Sequence, residues 1–170
     1  VNLLTPQAPP QLPNQLEPWQ LPTTKVHAVI FFKEESHALV EILLHLYSQG
    51  LDHVILVDNM STHPLPLEAM HSMGDFVTLR RDRRQMAQKP AFRSATQLAR
   101  WKGADWLLAV DADEFPWATQ LGSIANYLTL RDPEICTIAI PFRLFGSSGR
   151  EGQPNSIIHG FIGRVNNTLI

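Results

Sequence analysis

The sequence predicts an α/β fold with a mainly parallel sheet covered by helices on both faces. Short runs of apolar, β-branched residues alternate along the chain with segments whose apolar residues recur at helical spacing. This alternation is typical of parallel sheets, because each connecting helix brings the chain back to the edge where the next strand starts. The 170 residues, 44% of them apolar, suffice for one domain with a buried core.

The individual elements follow in chain order. Val26–Phe32 is an apolar run typical of a buried strand. Ser36 can cap the helix that follows, and Gly50 ends it. Further along, Pro90 opens a helix that closes at Lys102. The other predicted elements are strands over His53–Val57, Phe76–Leu79, Trp106–Val110 and Ile135–Ile140, and helices over Leu65–Met73 and from Thr119 to about Leu130.

The first 24 residues differ from the rest in composition. They hold six of the thirteen prolines, carry one charged residue and show neither a helical nor a strand period. Residues 1–24 are therefore predicted to be a Pro-rich leader or linker, and residues 25–170 the folded domain.

Composition also argues against several functional classes. The net charge of −2 lacks the basic field of a nucleic-acid-binding protein. The single cysteine, Cys136, excludes a disulfide framework and a Cys-rich zinc site. No apolar run reaches the roughly 18–20 residues that span a bilayer, and no signal-peptide pattern opens the chain, so we expect a cytoplasmic protein.

Polar residues follow each of the first four predicted strands. In an open α/β sheet, ligands bind at the carboxyl ends of the strands. These positions hold Lys33–Glu35, Asp58–Thr62, the arginine-rich stretch Arg80–Arg84 and Asp111–Glu114. The sequence therefore predicts a ligand site along this edge of the sheet.

The sharpest of these motifs is Asp111-Ala112-Asp113-Glu114. Three carboxylates so close together repel one another, and a bound cation offsets the repulsion. Oxygen ligands without His or Cys favour Mg²⁺ or Mn²⁺, which binds one or two carboxylates together with substrate phosphates. Asp111 and Asp113 are the predicted metal ligands, and a metal–diphosphate is the predicted ligand.

The other strand ends allow two interpretations each. Asp58-Asn59 is either part of a ligand pocket or a simple turn signal. The Arg80–Arg84 stretch is either a solvated loop or a site for a diphosphate, with Arg83 as the candidate ligand contact. The seven histidines show no metal-ligand spacing with an acidic third member, and structural or surface roles are expected for them.

These motifs together resemble the GT-A glycosyltransferases, and among them the family-2-like group whose strand ends read K-N-E, D-N-x-S-x-D and D-x-D-E-F. The matching residues are Lys33–Glu35, Asp58–His63 and Asp111–Phe115, and Phe145–Gly149 resembles a later family element. The resemblance covers roughly residues 25–164. Glu34, His63 and Arg150 depart from it, since the group usually has Asn, Asp and His there.

The resemblance implies a metal-dependent, inverting transfer of a sugar from a nucleotide diphosphate donor, expected to be a UDP-sugar, to an acceptor hydroxyl. It assigns Lys33, Glu35 and Asp58 to the nucleotide pocket. It further places Asp111 toward the ribose and Asp113 on the metal. An inverting reaction needs a carboxylate base. Asp132, Glu134 and Glu151 are the candidates downstream of the metal motif, and Glu151 is favoured because it alone lies past the carboxyl end of a predicted strand.

Two other classes of function stay open. One is an Mg²⁺-dependent phosphohydrolase or nucleotidyltransferase, although strand one ends in Lys-Glu-Glu rather than an aspartyl nucleophile. The other is a non-catalytic fragment that binds a nucleotide sugar or a partner. The chain stops soon after its last family-like segment, so apolar residues near its end are expected to lack cover and to favour self-association.

Overall fold

A four-stranded parallel sheet forms the centre of the molecule. The computed structural model describes residues 24–83, 88–147 and 149–163. The strands are β1 (Val26–Phe32), β2 (His53–Asp58), β3 (Val77–Arg81) and β4 (Trp106–Val110), arranged in the order β3-β2-β1-β4. All three strand pairs are parallel, so the predicted α/β class is confirmed.

Helices follow each strand in the described chain. β1 leads into α1 (Ser36–Ser48), and β3 is followed by α3 (Gln88–Trp101), which starts two residues before the predicted Pro90. The shorter helices are α2 (Leu67–Ser72), a 3-10 turn over Gly74–Phe76, α4 (Ile124–Thr129) and α5 (Ile157–Gly160).

The two faces of the sheet hold separate apolar clusters. On one face, alternate β1 residues such as Ala28 and Ile30 pack with Leu39 and Leu43 of α1. On the other face, Val29 lies in a cluster with buried alanines of α3. Each fully buried leucine or isoleucine contributes roughly 1.5–3 kcal/mol to folding, and the helices on both faces are therefore held by apolar burial.

The strand register places the carboxyl ends side by side. Phe32 pairs with Asp58, Asp58 with Arg81, and Ile30 with Val110. The chain adds β2 and β3 on one side of β1 and then crosses to place β4 on the other side. The strand order thus reverses between β1 and β4, and ligands of open α/β sheets bind at such a switch point.

The predicted fifth strand is wrong. Ile135–Ile140 pairs with no strand among the residues that the structure describes, and Ile135 and Ile140 are exposed. An apolar run becomes a strand only where a neighbouring edge satisfies its backbone groups. The helix predicted from Thr119 begins instead at Ile124, because the Ser123 hydroxyl caps it by accepting from Asn126 N–H.

Three further expectations concern the ends and the surface. Residues 1–23 of the predicted leader lie outside the described residues. Cys136 is a free, exposed thiol. No helix in the described ranges is both long and apolar enough to cross a bilayer.

Candidate functional site

A tight turn follows β4 and carries the Asp-X-Asp-Glu motif. The backbone N–H of Asp111 donates to the Glu114 carboxylate at 3.0 Å, and Glu114 N–H donates to Asp111 C=O at 3.1 Å. Ala112 is buried in the main core cluster, while Asp111 and Asp113 are exposed. Glu114 therefore fixes the turn, and the two aspartates are directed to solvent.

The Glu35 carboxyl group lies near this turn, at the end of β1. Burial raises the pKa of Glu35, and the charges of Asp113 and Asp111 raise it further, although a hydrogen bond from Lys33 N–H partly opposes them. β1 and β4 are neighbouring parallel strands with Ile30 opposite Val110, so Glu35 after β1 and the Asp111–Asp113 turn after β4 lie in one neighbourhood at the same edge of the sheet. This neighbourhood is the switch point of the sheet.

The side chains of the Asp111–Asp113 turn that face solvent are carboxylates, which donate oxygen atoms to a metal. The residues that the structure describes contain no group of three or more His, Cys, Asp or Glu side chains that could hold a metal by themselves. Asp111 and Asp113 are exposed on one short turn. Two carboxylates fit an ion such as Mg²⁺, which takes one or two protein carboxylates and completes its shell with water and phosphate.

Glu34 and His63, two of the three departures from the family pattern, contact each other. The Glu34 carboxylate accepts from Thr62 N–H at 2.8 Å, from His63 N–H at 3.1 Å and from the Thr62 hydroxyl at 3.0 Å, and it also pairs with His63 Nδ1. The backbone hydrogen bonds from Thr62 and His63 lower the pKa of Glu34 to about 2. Glu34 thereby ties the loop after β1 to the loop after β2.

Asp58 is fully buried at the end of β2. Its carboxylate accepts from Ser61 N–H at 2.8 Å and from Arg81 Nε at 2.8 Å. Asp58 thus shapes the Asn59–Thr62 loop, as the turn interpretation predicts, and it anchors Arg81 of the neighbouring strand. In the described structure its two oxygens are engaged by the protein.

The basic residues at and after the end of β3 differ in their surroundings. Arg81 belongs to the strand itself and is held by Asp58. Arg80 and Arg83 are exposed, as is Lys33 on the loop after β1. Lys33 and Arg83 are therefore the sequence-predicted cations that face solvent here, whereas Arg84 lies outside the described residues.

Glu151 is exposed in a loop that precedes α5. The segment around it is tied to itself, since Arg150 Nε donates to Gly160 C=O at 3.1 Å and Gly146 N–H donates to Gly163 C=O at 2.8 Å. The structure thus places Glu151 on a segment that is closed by its own hydrogen bonds.

Glu41 of α1 fastens this segment to the sheet domain. Its carboxylate accepts from the Ser156 hydroxyl and from Ile157 N–H, both at 2.6 Å, and from Ile158 N–H at 3.2 Å. Glu41 lies about 7.5 Å along the helix axis from Ser36, at 1.5 Å per residue. The segment is thereby fastened to α1, the helix that follows the carboxyl end of β1.

Sequence reasoning missed two contributors to this arrangement. Arg81 was predicted to lie in a loop and is instead the ion-pair partner of Asp58. Glu41 gave no signal at all, since it is one acidic residue on a helix and its partners lie 115–117 residues away. For Arg81, the adjoining apolar run Val77–Leu79 was an available signal that the strand continues.

No protein-family model matches the chain, and no curated protein is detectably similar to it.

Proposed function

We propose that the protein is a metal-dependent glycosyltransferase that binds a nucleoside diphosphate sugar at the carboxyl ends of its strands. The observation that carries the proposal is the placement of Lys33–Glu35 and of the Asp111–Asp113 turn after two neighbouring strands, at the switch point of a parallel sheet. The strand-end motifs resemble those of GT-A glycosyltransferases in the same order. A uridine diphosphate sugar is the proposed donor.

The metal of this proposal is Mn²⁺ or Mg²⁺. When bound, the ion neutralises charge that develops on the leaving diphosphate. Asp113 is the proposed ligand and Asp111 the second carboxylate, shared between the ion and the ribose. Their exposure on a turn fixed by Glu114 leaves room for diphosphate oxygens in the remaining positions.

The other strand ends hold the rest of the donor. Lys33 and Arg83 supply exposed cations for the diphosphate, and guanidinium groups match phosphate oxygens well. Glu35 accepts hydrogen bonds from the nucleotide. Asp58 acts through the Asn59–Thr62 loop, which it orders by its bond to Ser61 N–H.

Glu151 is the proposed base for the acceptor hydroxyl. Its exposed carboxylate has access to solvent and to an acceptor. A base has to come within hydrogen-bond reach of the hydroxyl it deprotonates. The Glu41 anchor supports this role, because it holds the Glu151-bearing segment beside the first turns of α1.

The proposal is tested by calorimetric binding of UDP with and without Mn²⁺. Loss of an outer-shell partner alone lowers metal affinity about 10–100-fold, so Asp113→Ala should weaken the Mn²⁺-dependent affinity at least about tenfold. Glu68→Ala, which removes an exposed carboxylate on α2, serves as the matched control. Equal affinity of Asp113→Ala and the control would exclude Asp113 as a ligand.

Turnover separates the proposed reaction from the other classes. A glycosyltransferase releases UDP from a UDP-sugar in the presence of an acceptor, whereas a binding fragment retains the donor intact. Release of inorganic phosphate from nucleotides would instead indicate a phosphohydrolase.

A further inference from the structure

Cationic residues are concentrated in one part of this acidic chain. Residues 80–102 contain eight of the fourteen Lys and Arg residues and one of the sixteen Asp and Glu residues. The stretch therefore carries a formal charge of +7, while the chain as a whole carries −2. Such segregation creates a local positive potential that the overall composition conceals.

Helix α3 displays the second half of this stretch. Its fourteen residues include no Asp or Glu. The apolar face, formed by Ala91, Ala95 and Ala99, is buried against the sheet. The polar residues of the helix consequently lie on its outer surface.

Four exposed residues of α3 follow one another at intervals of four, and we name them the α3 ridge: Lys89, Arg93, Gln97 and Trp101. Residues four apart lie on the same side of a helix. At 1.5 Å per residue the ridge extends about 18 Å. Trp101 at its end is 82% exposed, which is unusual for so large an aromatic side chain.

The first part of the ridge borders a depression of about 380 Å³, lined by Lys89, Pro90, Arg93, Ser94 and Gln97. The Ser94 hydroxyl donates to Ala91 C=O at 3.0 Å, so its oxygen can still accept a hydrogen bond. The Gln97 amide can both donate and accept. Two cations thus adjoin groups that suit hydroxyl ligands.

We infer that the α3 ridge binds an acidic oligosaccharide. Lys89 and Arg93 contact carboxylate or sulfate groups of the sugar chain, and Arg93 can do so through two parallel hydrogen bonds. Ser94 and Gln97 contact sugar hydroxyls, and a sugar ring packs its C–H groups on Trp101. The role of this oligosaccharide as acceptor rests on the proposed glycosyltransferase function, since Lys89 lies in the first turn of α3, after the carboxyl end of β3.

Other polyanions fit the ridge less well. A membrane surface requires an apolar helix face that is free to insert, and the apolar face of α3 is buried in the domain. Single-stranded nucleic acid is held by several aromatic platforms, whereas the ridge presents one. The charge of −9 on the rest of the chain also repels a long polyanion more than a short one.

The test is a titration of the full chain with a defined oligouronate hexasaccharide, followed by Trp fluorescence or NMR. Arg93→Gln should weaken binding about tenfold, the effect of losing one strong charge-assisted contact. Trp101→Ala should weaken it several-fold, by NMR. Arg143→Gln removes one charge from an exposed arginine outside the ridge and should leave binding unchanged. A neutral hexasaccharide should bind at least about tenfold more weakly.

Three results would overturn the inference: absence of saturable binding, an equal loss in Arg93→Gln and Arg143→Gln, or equal or tighter binding to an oligonucleotide or to anionic vesicles. These results are independent of the donor site. Mn²⁺-dependent UDP binding without oligouronate binding would contradict the role inferred for the α3 ridge and leave the proposed function intact. Oligouronate binding without UDP binding would support the role inferred for the α3 ridge and contradict the proposed function.

Discussion

At the level of single residues, the carboxylates at the ends of the strands take different roles. Asp58 and Glu34 each accept hydrogen bonds from the protein on both carboxylate oxygens. Asp111 and Asp113 remain exposed. The difference arises from the neighbouring groups: the loop after β2 offers N–H groups and β3 offers the Arg81 guanidinium, whereas the turn after β4 is closed by its own Glu114.

The pair of Asp58 with Arg81 leads to a prediction about stability. Asp58→Ala leaves Ser61 N–H and Arg81 without their acceptor, and the loss of buried, charge-assisted hydrogen bonds should lower the free energy of unfolding by about 2 kcal/mol. Urea denaturation measures this change. Arg81→Gln should be milder, because Arg81 is half exposed. If Asp58 serves the ligand alone, Asp58→Ala will unfold at the wild-type urea concentration.

Two buried histidines predict a pH dependence of stability. Burial lowers the pKa of both His27 and His53; the charge of His53 lowers that of His27 further, as do Lys102 and Lys25, against the opposing charge of Asp52. The folded state therefore favours neutral rings. Stability should be full above about pH 6.5, the unfolded pKa, and fall as the pH drops below it, by at most about 1.4 kcal/mol per pH unit and ring.

Urea unfolding between pH 5 and pH 8 checks this expectation. This window lies above the range in which Glu34 and Glu41 titrate, because the pKa of each is lowered in the folded state. His27→Gln removes one titrating ring and should flatten the profile. An unchanged slope in His27→Gln would mean that the His27 ring is protonated equally in both states.

At the level of elements, local sequence patterns predicted the positions of strands better than they predicted whether a strand finds a neighbour to pair with. The bounds of β1 and β4 agree with the prediction, because each is a short apolar run between polar segments. Ile135–Ile140 is a similarly apolar run, but it has no strand beside it in the described structure. The pattern of apolar residues indicates burial and a local preference for extended backbone, whereas a strand also needs the free edge of a neighbouring strand to pair with.

The anchor between α1 and the segment around α5 makes a prediction at this scale. Glu41→Ala removes the acceptor of Ser156 Oγ–H, Ile157 N–H and Ile158 N–H. Residues 145–163 should then exchange amide hydrogens faster and be cleaved sooner by protease, while the strands keep their protection. Glu68→Ala is the control, and equal exchange in both variants would contradict the anchoring role.

The same anchor depends on pH in a defined direction. Burial raises the pKa of Glu41, but the hydrogen bonds from Ser156, Ile157 and Ile158 outweigh it, so the net pKa is lowered. The anchor therefore contributes its full stability above the unfolded pKa of about 4.3 and loses it as the pH falls through the lower folded value.

At the scale of the whole molecule, the sequence predicted the parallel sheet and its polar strand ends but not how the residues at those ends interact. The alternation of elements predicted a parallel sheet, and the strand order observed in the structure places Lys33–Glu35 and Asp111–Glu114 on either side of the switch point. The contacts of Glu34 with His63 and of Glu41 with Ser156 join residues 29 and 115 positions apart. Such pairs depend on how the loops meet in space, which no local pattern contains.

The exposed apolar residues near the end of the described chain carry the last prediction. Phe142 is 70% exposed, Leu144 64% and Ile162 72%. Large apolar side chains left exposed to water favour association, so we expect the sedimentation coefficient to rise with protein concentration. Phe142→Ser with Leu144→Ser should reduce this rise, because both substitutions remove apolar area from the contact. Leu67→Ser, at an exposed position on α2, should not. A sedimentation coefficient that stays at the monomer value across the concentration range would contradict this expectation and show that these side chains remain solvated.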